Sequence, residues 1–326
     1  MKITVAGAGA WGTSLANLLC ENQHAVTLWG HDRAHLEKIQ QARCNQTHLQ
    51  AIELSNELKF ESDLEKAIQK SECVVIAVPS KFFRDVTKEI SEFSGIAVSV
   101  TKGIEYETGL TMSGVLKSTM PRAAAVALSG PTLALEVAKN IPAAIVAANP
   151  DSQIAETIQT IFLRPTFRVY TSEDLLGVEL GGALKNIIAI AAGTSDGLGF
   201  GDNTKAALIT RAIVEIRRLG VACGANAETF SGLSGLGDLS VTCFSKLSRN
   251  RGFGERLGRG ESVKNILATT SSVAEGYPTT RSAFQLSKKL KIETPIIDEV
   301  HAMLYEGKNI GQAVRDLMGR DTKPEN

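Results

Sequence analysis

MKITVAGAGAWG, residues 1–12, joins a short β-branched run to three closely spaced glycines. Ile3-Thr4-Val5-Ala6 reads as a strand. Gly7, Gly9 and Gly12 stand in the spacing G-x-G-x-x-G, and residues 13–21 continue as a helix. Alone, that spacing is common to many glycine loops. Between a strand and a helix it acquires a mechanism. Gly7 permits the tight turn, Gly9 lets backbone approach a pyrophosphate, and Gly12 lets the helix pack close to the strand. The helix start adds free N–H groups and the positive end of its dipole. The expected ligand is a dinucleotide, against the alternative of a plain strand-to-helix turn.

Outward from this stretch the first half keeps alternating. Strands are expected at Ala25–Trp29, Cys73–Val78, Ile96–Val100, Ala125–Leu128, Ala143–Ala147 and Arg168–Tyr170. Helices are expected over 32–41 with Asp32 as cap, 63–70 capped by Ser62 or Asp63, and 81–93. Continuous apolar strands separated by helices predict a parallel sheet covered on both faces. Strand signals stop after about Thr171. Helical periodicity then dominates, at 203–219, 262–267, 279–289 and 296–305. The fold class is therefore α/β: a doubly wound Rossmann-type N-terminal domain over 1–180, then an all-α C-terminal domain over 181–326, with the boundary near 172–186.

Composition sets outer limits. The chain has 326 residues, and Lys+Arg and Asp+Glu both total 35. Zero net charge argues against broad nucleic-acid binding. No run of about 18 apolar residues is free of charge, so no membrane span is expected. The five cysteines form no C-x-x-C pair and the histidines no H-x-x-x-H pair. Reduced thiols, a cytoplasmic location and no metal site are the expectation.

Several polar residues sit where chemistry could use them. The second strand ends in Trp29-Gly30-His31-Asp32-Arg33, where an acid would favour NAD and an arginine the 2′-phosphate of NADP. With Asp32 spent as a cap, His31 and Arg33 remain for phosphate. The expectation is a site that takes NADP or NAD, NADPH slightly favoured. Lys185 stands in GVELGGALKNIIAIAAG (177–193), an otherwise apolar helix. Gly181, Gly182 and Ala189 share its face and are expected to leave open space there; snorkelling to solvent is the alternative. Lys102 ends a strand in SVTKGIE, at the edge of the sheet where ligands bind. Asp238 lies in a Gly/Ser-rich turn, and Ser248-Arg249-Asn250-Arg251 offers guanidinium groups suited to a phosphate.

GAGAWGTSLA, AVPS, SVTKGIE, LSGPTLA, ELGGALKNIIAIAAG, GLSGLGDLSVTC, SRNRGFG and VAEGYPT follow in this order from Gly7 to about Tyr277. Together they resemble the bacterial NAD(P)-dependent glycerol-3-phosphate dehydrogenases. The resemblance implies reversible hydride transfer between NAD(P)H and dihydroxyacetone phosphate, giving sn-glycerol 3-phosphate for phospholipid synthesis. It implies Lys185 as proton donor and acceptor. Lys102, Gly130, Thr132, Lys185, Asp238, Ser248, Arg249 and Asn250 would bind substrate. Gly7, Gly9, Ala10, Trp11, Gly12, His31, Arg33, Lys102, Ala134, Arg249, Val273 and Glu275 would bind cofactor. That family often carries Ser or Asn where this chain has Ala10, which removes a side-chain hydrogen bond and leaves the backbone contacts. Lys185 would then border a substrate cleft with Lys102 nearby, two effects that lower its pKa toward the working range. The partners implied are the small-molecule substrate and, as a possibility left open, a second copy in a homodimer. A related dehydrogenase acting on a hydroxy acid or sugar-acid phosphate is the nearest rival. A non-catalytic dinucleotide sensor is the rival from another class.

Overall fold

The structure, a computed structural model, describes residues 1–270, 274–322 and 324. Strands β1 (Lys2–Ala6), β2 (Ala25–Trp29), β3 (Lys59–Glu61), β4 (Cys73–Ile76), β5 (Ile96–Ser99), β6 (Ala124–Ser129), β7 (Ala143–Ala148) and β8 (Phe167–Ser172) form one sheet in the order β3-β2-β1-β4-β5-β6-β7-β8. Helices α1 (Ala10–Glu21), α2 (Arg33–Ala42), α3 (Leu64–Ile68), α4 (Ser80–Glu89), α5 (Met112–Thr119), α6 (Ala134–Ala138) and α7 (Ser152–Phe162) connect them.

Successive residues of each inner strand face opposite cores, which is why these strands read as unbroken apolar runs. Cys73 and Val75 of β4 join Leu15 and Leu19 of α1, whereas Val74 and Ile76 join Phe83 of α4 and Val115 of α5. Asp32, Asp63 and Asp151 cap α2, α3 and α7, each accepting a hydrogen bond from a backbone N–H of the first turn.

The expectation of a parallel sheet holds from β3 to β6 and fails beyond. β7 runs antiparallel to β6, and β8 is parallel to β7. An apolar run does not encode strand direction, so the reversal was invisible in it. Its consequence is that the second face of β6 and β7 is free for a different cover. Ala127, Val146 and Ala148 pack there against Val178 of the long helix α8 (Leu175–Gly197).

The remainder is helical: α9 (Asp202–Ala222), a 3₁₀ turn Ala227–Ser231, a π turn Leu233–Gly237, α10 (Asp238–Phe244), α11 (Arg249–Gly258), α12 (Val263–Thr269), α13 (Gly276–Leu290), α14 (Pro295–Tyr305) and α15 (Ile310–Met318). These pack around α8, whose residues 177–190 are all buried. By length and composition α8 could cross a membrane, but 83% of its most apolar stretch is buried inside the protein, as the core helix of this unit. Gly193 and Gly197 of α8, and Gly254 and Gly258 of α11, each lie against the backbone of the other helix. That close crossing delivers the start of α11 to the end of the sheet.

Candidate active site

The turn after β1 has the geometry its glycines suggest. Gly7 has φ +128°, and a Cβ there would lie 2.6 Å from the carbonyl oxygen of Ala77. A Cβ on Gly12 would collide with the carbonyl of Gly7, whereas one on Gly9 would meet nothing within 4 Å. Backbone is thus closed on the strand side and open toward solvent at Gly9. No side chain caps α1, so its first N–H groups, with Ala10 and Trp11 in the first turn, face that opening. Trp11 also packs its ring against the core beside α1. Asn45, fully buried in the segment after α2, donates to the Ala8 carbonyl at 3.0 Å and to Thr13 Oγ1 at 2.9 Å. It fastens that segment across the turn. Sequence reading missed it because a lone loop asparagine carries no spacing.

At the end of β2, Asp32 accepts from His35 N at 3.0 Å and serves as the cap anticipated for it. His31 and Arg33 are exposed, and the Arg33 guanidinium pairs at 2.8 Å with Glu37 one turn on. The open backbone at Gly9, the uncapped helix start and the exposed His31 and Arg33 side chains fit a dinucleotide with or without a 2′-phosphate.

The loops after β5 and β6 carry the next groups. Lys102 Nζ donates to the Gly130 carbonyl at 3.1 Å and to Asp238 Oδ2 at 2.6 Å. Lys185 Nζ lies 2.8 Å from Asp238 Oδ1 and 2.6 Å from Thr242 Oγ1, which in turn donates to the Asp238 carbonyl. One carboxylate, 1% exposed, therefore bridges two ammonium groups. Burial lowers the Lys185 pKa from 10.5 to about 8; Asp238 opposes that fall and the Lys102 charge adds to it. Thr242 stands four residues after Asp238 on the same helix, a spacing that could have revealed it.

The expectation of open space beside Lys185 is corrected. A Cβ on Gly181 would lie 2.6 Å from the Ser234 carbonyl oxygen, and one on Gly182 would fall on Ser129 Oγ. The two glycines admit close neighbours and leave no cavity. Ala189 is likewise fully buried.

Thr132 Oγ1 donates to the Gly130 carbonyl, and Ala134 opens α6. Ser248 caps α11 by accepting from Arg251 N at 3.2 Å. Arg249 follows as the first residue of α11, open to solvent yet crowded enough that desolvation lowers its pKa, partly offset by Glu275. Asn250 is buried and its amide is engaged: Nδ2 donates to Asn186 Oδ1 at 2.8 Å and Oδ1 accepts from Gly276 N at 2.9 Å. It braces α8, α11 and α13 and keeps one amide hydrogen over. Glu275 accepts from Ser80 N at 3.0 Å and Ser80 Oγ at 2.5 Å, and burial raises its pKa. Ser80 lies in the AVPS stretch, which marked a strand end without showing this partner. Val273 lies outside the described residues.

The arrangement places a proton-bearing lysine of lowered pKa, a second cation and an exposed guanidinium at the carboxyl end of the parallel strands, beside the glycine turn. It can protonate or deprotonate an oxygen while an anion is held. Models of the NAD-dependent glycerol-3-phosphate dehydrogenase N-terminus and C-terminus match residues 2–155 and 174–315. A glycerol-3-phosphate dehydrogenase [NAD(P)+] of Syntrophotalea carbinolica is 48% identical over 331 residues, covering 100% of this chain and 99% of that protein. A namesake from a Thermoanaerobacter species is 48% identical over 328 residues, with the same coverage. The crystal structure of glycerol-3-phosphate dehydrogenase from Coxiella burnetii superposes with a TM-score of 0.94 at 36% identity, covering 98% of this chain and 99% of that one.

Proposed function

From the premise that this chain belongs to the NAD-dependent glycerol-3-phosphate dehydrogenase family, we propose the following roles for its residues in the crevice. The reaction is the NAD(P)-dependent interconversion of dihydroxyacetone phosphate and sn-glycerol 3-phosphate. The nicotinamide, when bound, supplies or accepts the hydride at C2. The glycine turn and α1 hold the pyrophosphate on backbone N–H groups from Gly7 to Gly12, and His31 and Arg33 meet the 2′-phosphate when NADP(H) is used. Lys185 protonates the alkoxide oxygen that forms at C2 and takes the proton back in the reverse direction. Lys102 sets a second positive charge beside that oxygen. Asp238 holds the two ammonium groups, and Gly130 and Thr132 shape the loop that anchors Lys102. Arg249 meets the substrate phosphate, with Ser248 and Asn250 fixing the first turn of α11. Ala134, Val273 and Glu275 complete the cofactor side.

The observation that carries this reading is the single buried carboxylate of Asp238 shared by Lys185 and Lys102 at the end of the parallel strands. A metal-free hydride transfer needs such a poised acid beside the glycine turn, and a dinucleotide sensor does not. The division at about residue 180 belongs to the same reading. It is supported by the last strand ending at Ser172 and by α8 packing mostly among helices. The five unpaired cysteines support a cytoplasmic location. Sedimentation of the purified protein decides whether it forms a homodimer.

The test is the consumption of NADPH and of NADH with dihydroxyacetone phosphate, against unphosphorylated dihydroxyacetone. Turnover confined to the phosphorylated ketone supports the assignment. Equal turnover of both ketones, or turnover only with a keto acid, rejects it.

A further inference from the structure

Gly181 stands one turn before Lys185 on α8. Its missing side chain faces backbone only: a Cβ there would lie 2.6 Å from Ser234 O, 3.1 Å from Ser234 C and 3.4 Å from Gly235 Cα. No rotation can withdraw those atoms. They belong to the π turn Leu233–Gly237, and this turn is blocked from behind as well, because a Cβ on Gly235 would fall on the backbone of the buried Phe230. The turn is therefore held between α8 and the 3₁₀ turn Ala227–Ser231. The residue that follows it is Asp238, the first of α10. A π turn inserts an extra residue into the helical path and re-aims what comes next, a device that recurs at functional sites. Here it aims one carboxylate at two lysines, 2.8 Å from Lys185 and 2.6 Å from Lys102. Gly182, the neighbouring glycine, meets different material: the Ser129 hydroxyl and the flexible stem of Lys102, with Cγ at 3.5 Å.

We infer that Gly181 is a positioning residue of the reaction: its bare Cα seats α8 on the π turn and thereby fixes the distance between Lys185 and the Asp238 carboxylate. The inference rests on the reading of Lys185 as the proton donor.

The test compares Gly181→Ala with Gly182→Ala in steady-state kinetics across pH, with cofactor affinity read from tryptophan fluorescence and folding checked by thermal melting. In Gly181→Ala, α8 and the turn must part. kcat should fall by roughly ten- to a hundredfold, the scale of an ångström-sized misplacement at a reacting centre, with NADPH and NADH affinity unchanged. Asp238 and Cys243 of α10 and Lys102 of the β5 loop are the charged or titratable groups that act on Lys185. Asp238 favours the protonated lysine, so loosening its contact moves the alkaline limb of the reduction profile to lower pH. Gly182→Ala should cost less and leave that limb in place. In an Asp238→Asn background, Gly181→Ala should add little, since its effect passes through that carboxylate. A folded Gly181→Ala with the wild-type limb, or an undiminished loss in the Asp238→Asn background, overturns the inference. Should Gly181→Ala not fold, Asp238→Glu lengthens the carboxylate with the glycine contact intact, and wild-type turnover in that variant overturns it equally. Turnover surviving in Lys185→Met would instead remove the premise, an outcome distinct from both.

Discussion

At the residue scale the proposed chemistry rests on a lysine that is 7% exposed and does not sit alone. Burying an unpaired ammonium is prohibitive, and Asp238 and Thr242 make Lys185 tolerable while leaving its pKa near 8. With Lys185 as the proposed proton donor, reduction needs the protonated lysine, so kcat for dihydroxyacetone phosphate should fall as pH rises through about 8, while glycerol 3-phosphate oxidation, which needs the neutral form, should rise over the same range. Lys185→Met should reduce kcat by roughly 10²–10⁴ with cofactor binding intact; a flat profile or a working Met variant would refute the role. Arg249 offers a planar fork at a helix start. Arg249→Lys keeps the charge and loses the paired donors, so kcat/KM for the phosphorylated ketone should drop by about ten- to a hundredfold, from a charge-assisted bond of roughly 1.5–3 kcal/mol. Cofactor affinity measured in the same variant separates this from a cofactor effect. Arg33 is 80% exposed and partnered by Glu37, so its hold on a 2′-phosphate must compete with that pair. Arg33→Ala should weaken NADPH more than NADH, and Glu37→Gln should do the reverse; parallel changes in the two dissociation constants would show that Arg33 reads something else.

At the element scale, helix ends reveal how much the sequence disclosed. Asp32 caps α2 as expected, Asp63 is the one of the two candidates that caps α3, and Asp151 caps a helix that was not anticipated. Other elements went unanticipated. β3 has three residues at the sheet edge and only Phe60 to bury, too little for a pattern. α5 carries Gly114 and several hydroxyl residues, which dilute its helical signal. α7 is different: Ile154, Ala155, Ile158, Ile161 and Phe162 keep a clean helical spacing after Asp151 and were there to be read. The start of α14 is capped by nothing local. Glu215 of α9, buried, accepts from Ile296 N at 3.0 Å and Ile297 N at 2.9 Å. Desolvation raises its pKa from 4.5 to about 7 against the pull of those two donors. A carboxyl whose folded pKa is raised gives up its proton more readily when unfolded, so its contribution is whole below about pH 4.5 and is lost as pH climbs through about 7. Unfolding free energy by urea should therefore decline between pH 5 and 8 by an amount on the order of 3 kcal/mol from this group. Glu215→Gln, less stable overall because one of the two accepting oxygens becomes an NH2 group that faces a backbone N–H, should show a flatter profile. An equal decline in both proteins would mean Glu215 does not titrate there.

At the scale of the whole molecule, the two units meet along the loops that leave the carboxyl ends of the parallel strands, and these contacts are what a single sequence conceals most. Ser80 and Glu275 are 195 positions apart, Lys102 and Asp238 136 apart. Neither pairing has a period or a neighbour pattern; each exists because the residues that follow β4 and β5 meet the starts of α13 and α10. The glycine turn was legible because its mechanism is local, whereas the carboxylate shared by two lysines was not. Ser80 begins α4 on the sheet side and Glu275 precedes α13 on the helical side, so two hydrogen bonds to one half-buried carboxylate span the crevice. Gly103 closes in on the same spot, where a Cβ would lie 2.8 Å from Ser80 Cβ. Ser80→Ala removes the hydroxyl donor and leaves the backbone one. Losing a hydrogen bond to a charged group costs about 1.5–3 kcal/mol, and the released carboxylate is no longer held on the proposed cofactor side. Stability should fall by an amount of that order. NADH and NADPH should weaken together, because the two cofactors differ only at the far, 2′-phosphate end. That signature is the opposite of the one expected for Arg33. Titration of both cofactors against Ser80→Ala, with urea unfolding alongside, reads the two effects separately. A stability loss with both cofactor affinities unchanged would confine the Ser80–Glu275 pair to joining the units and take Glu275 out of the cofactor site.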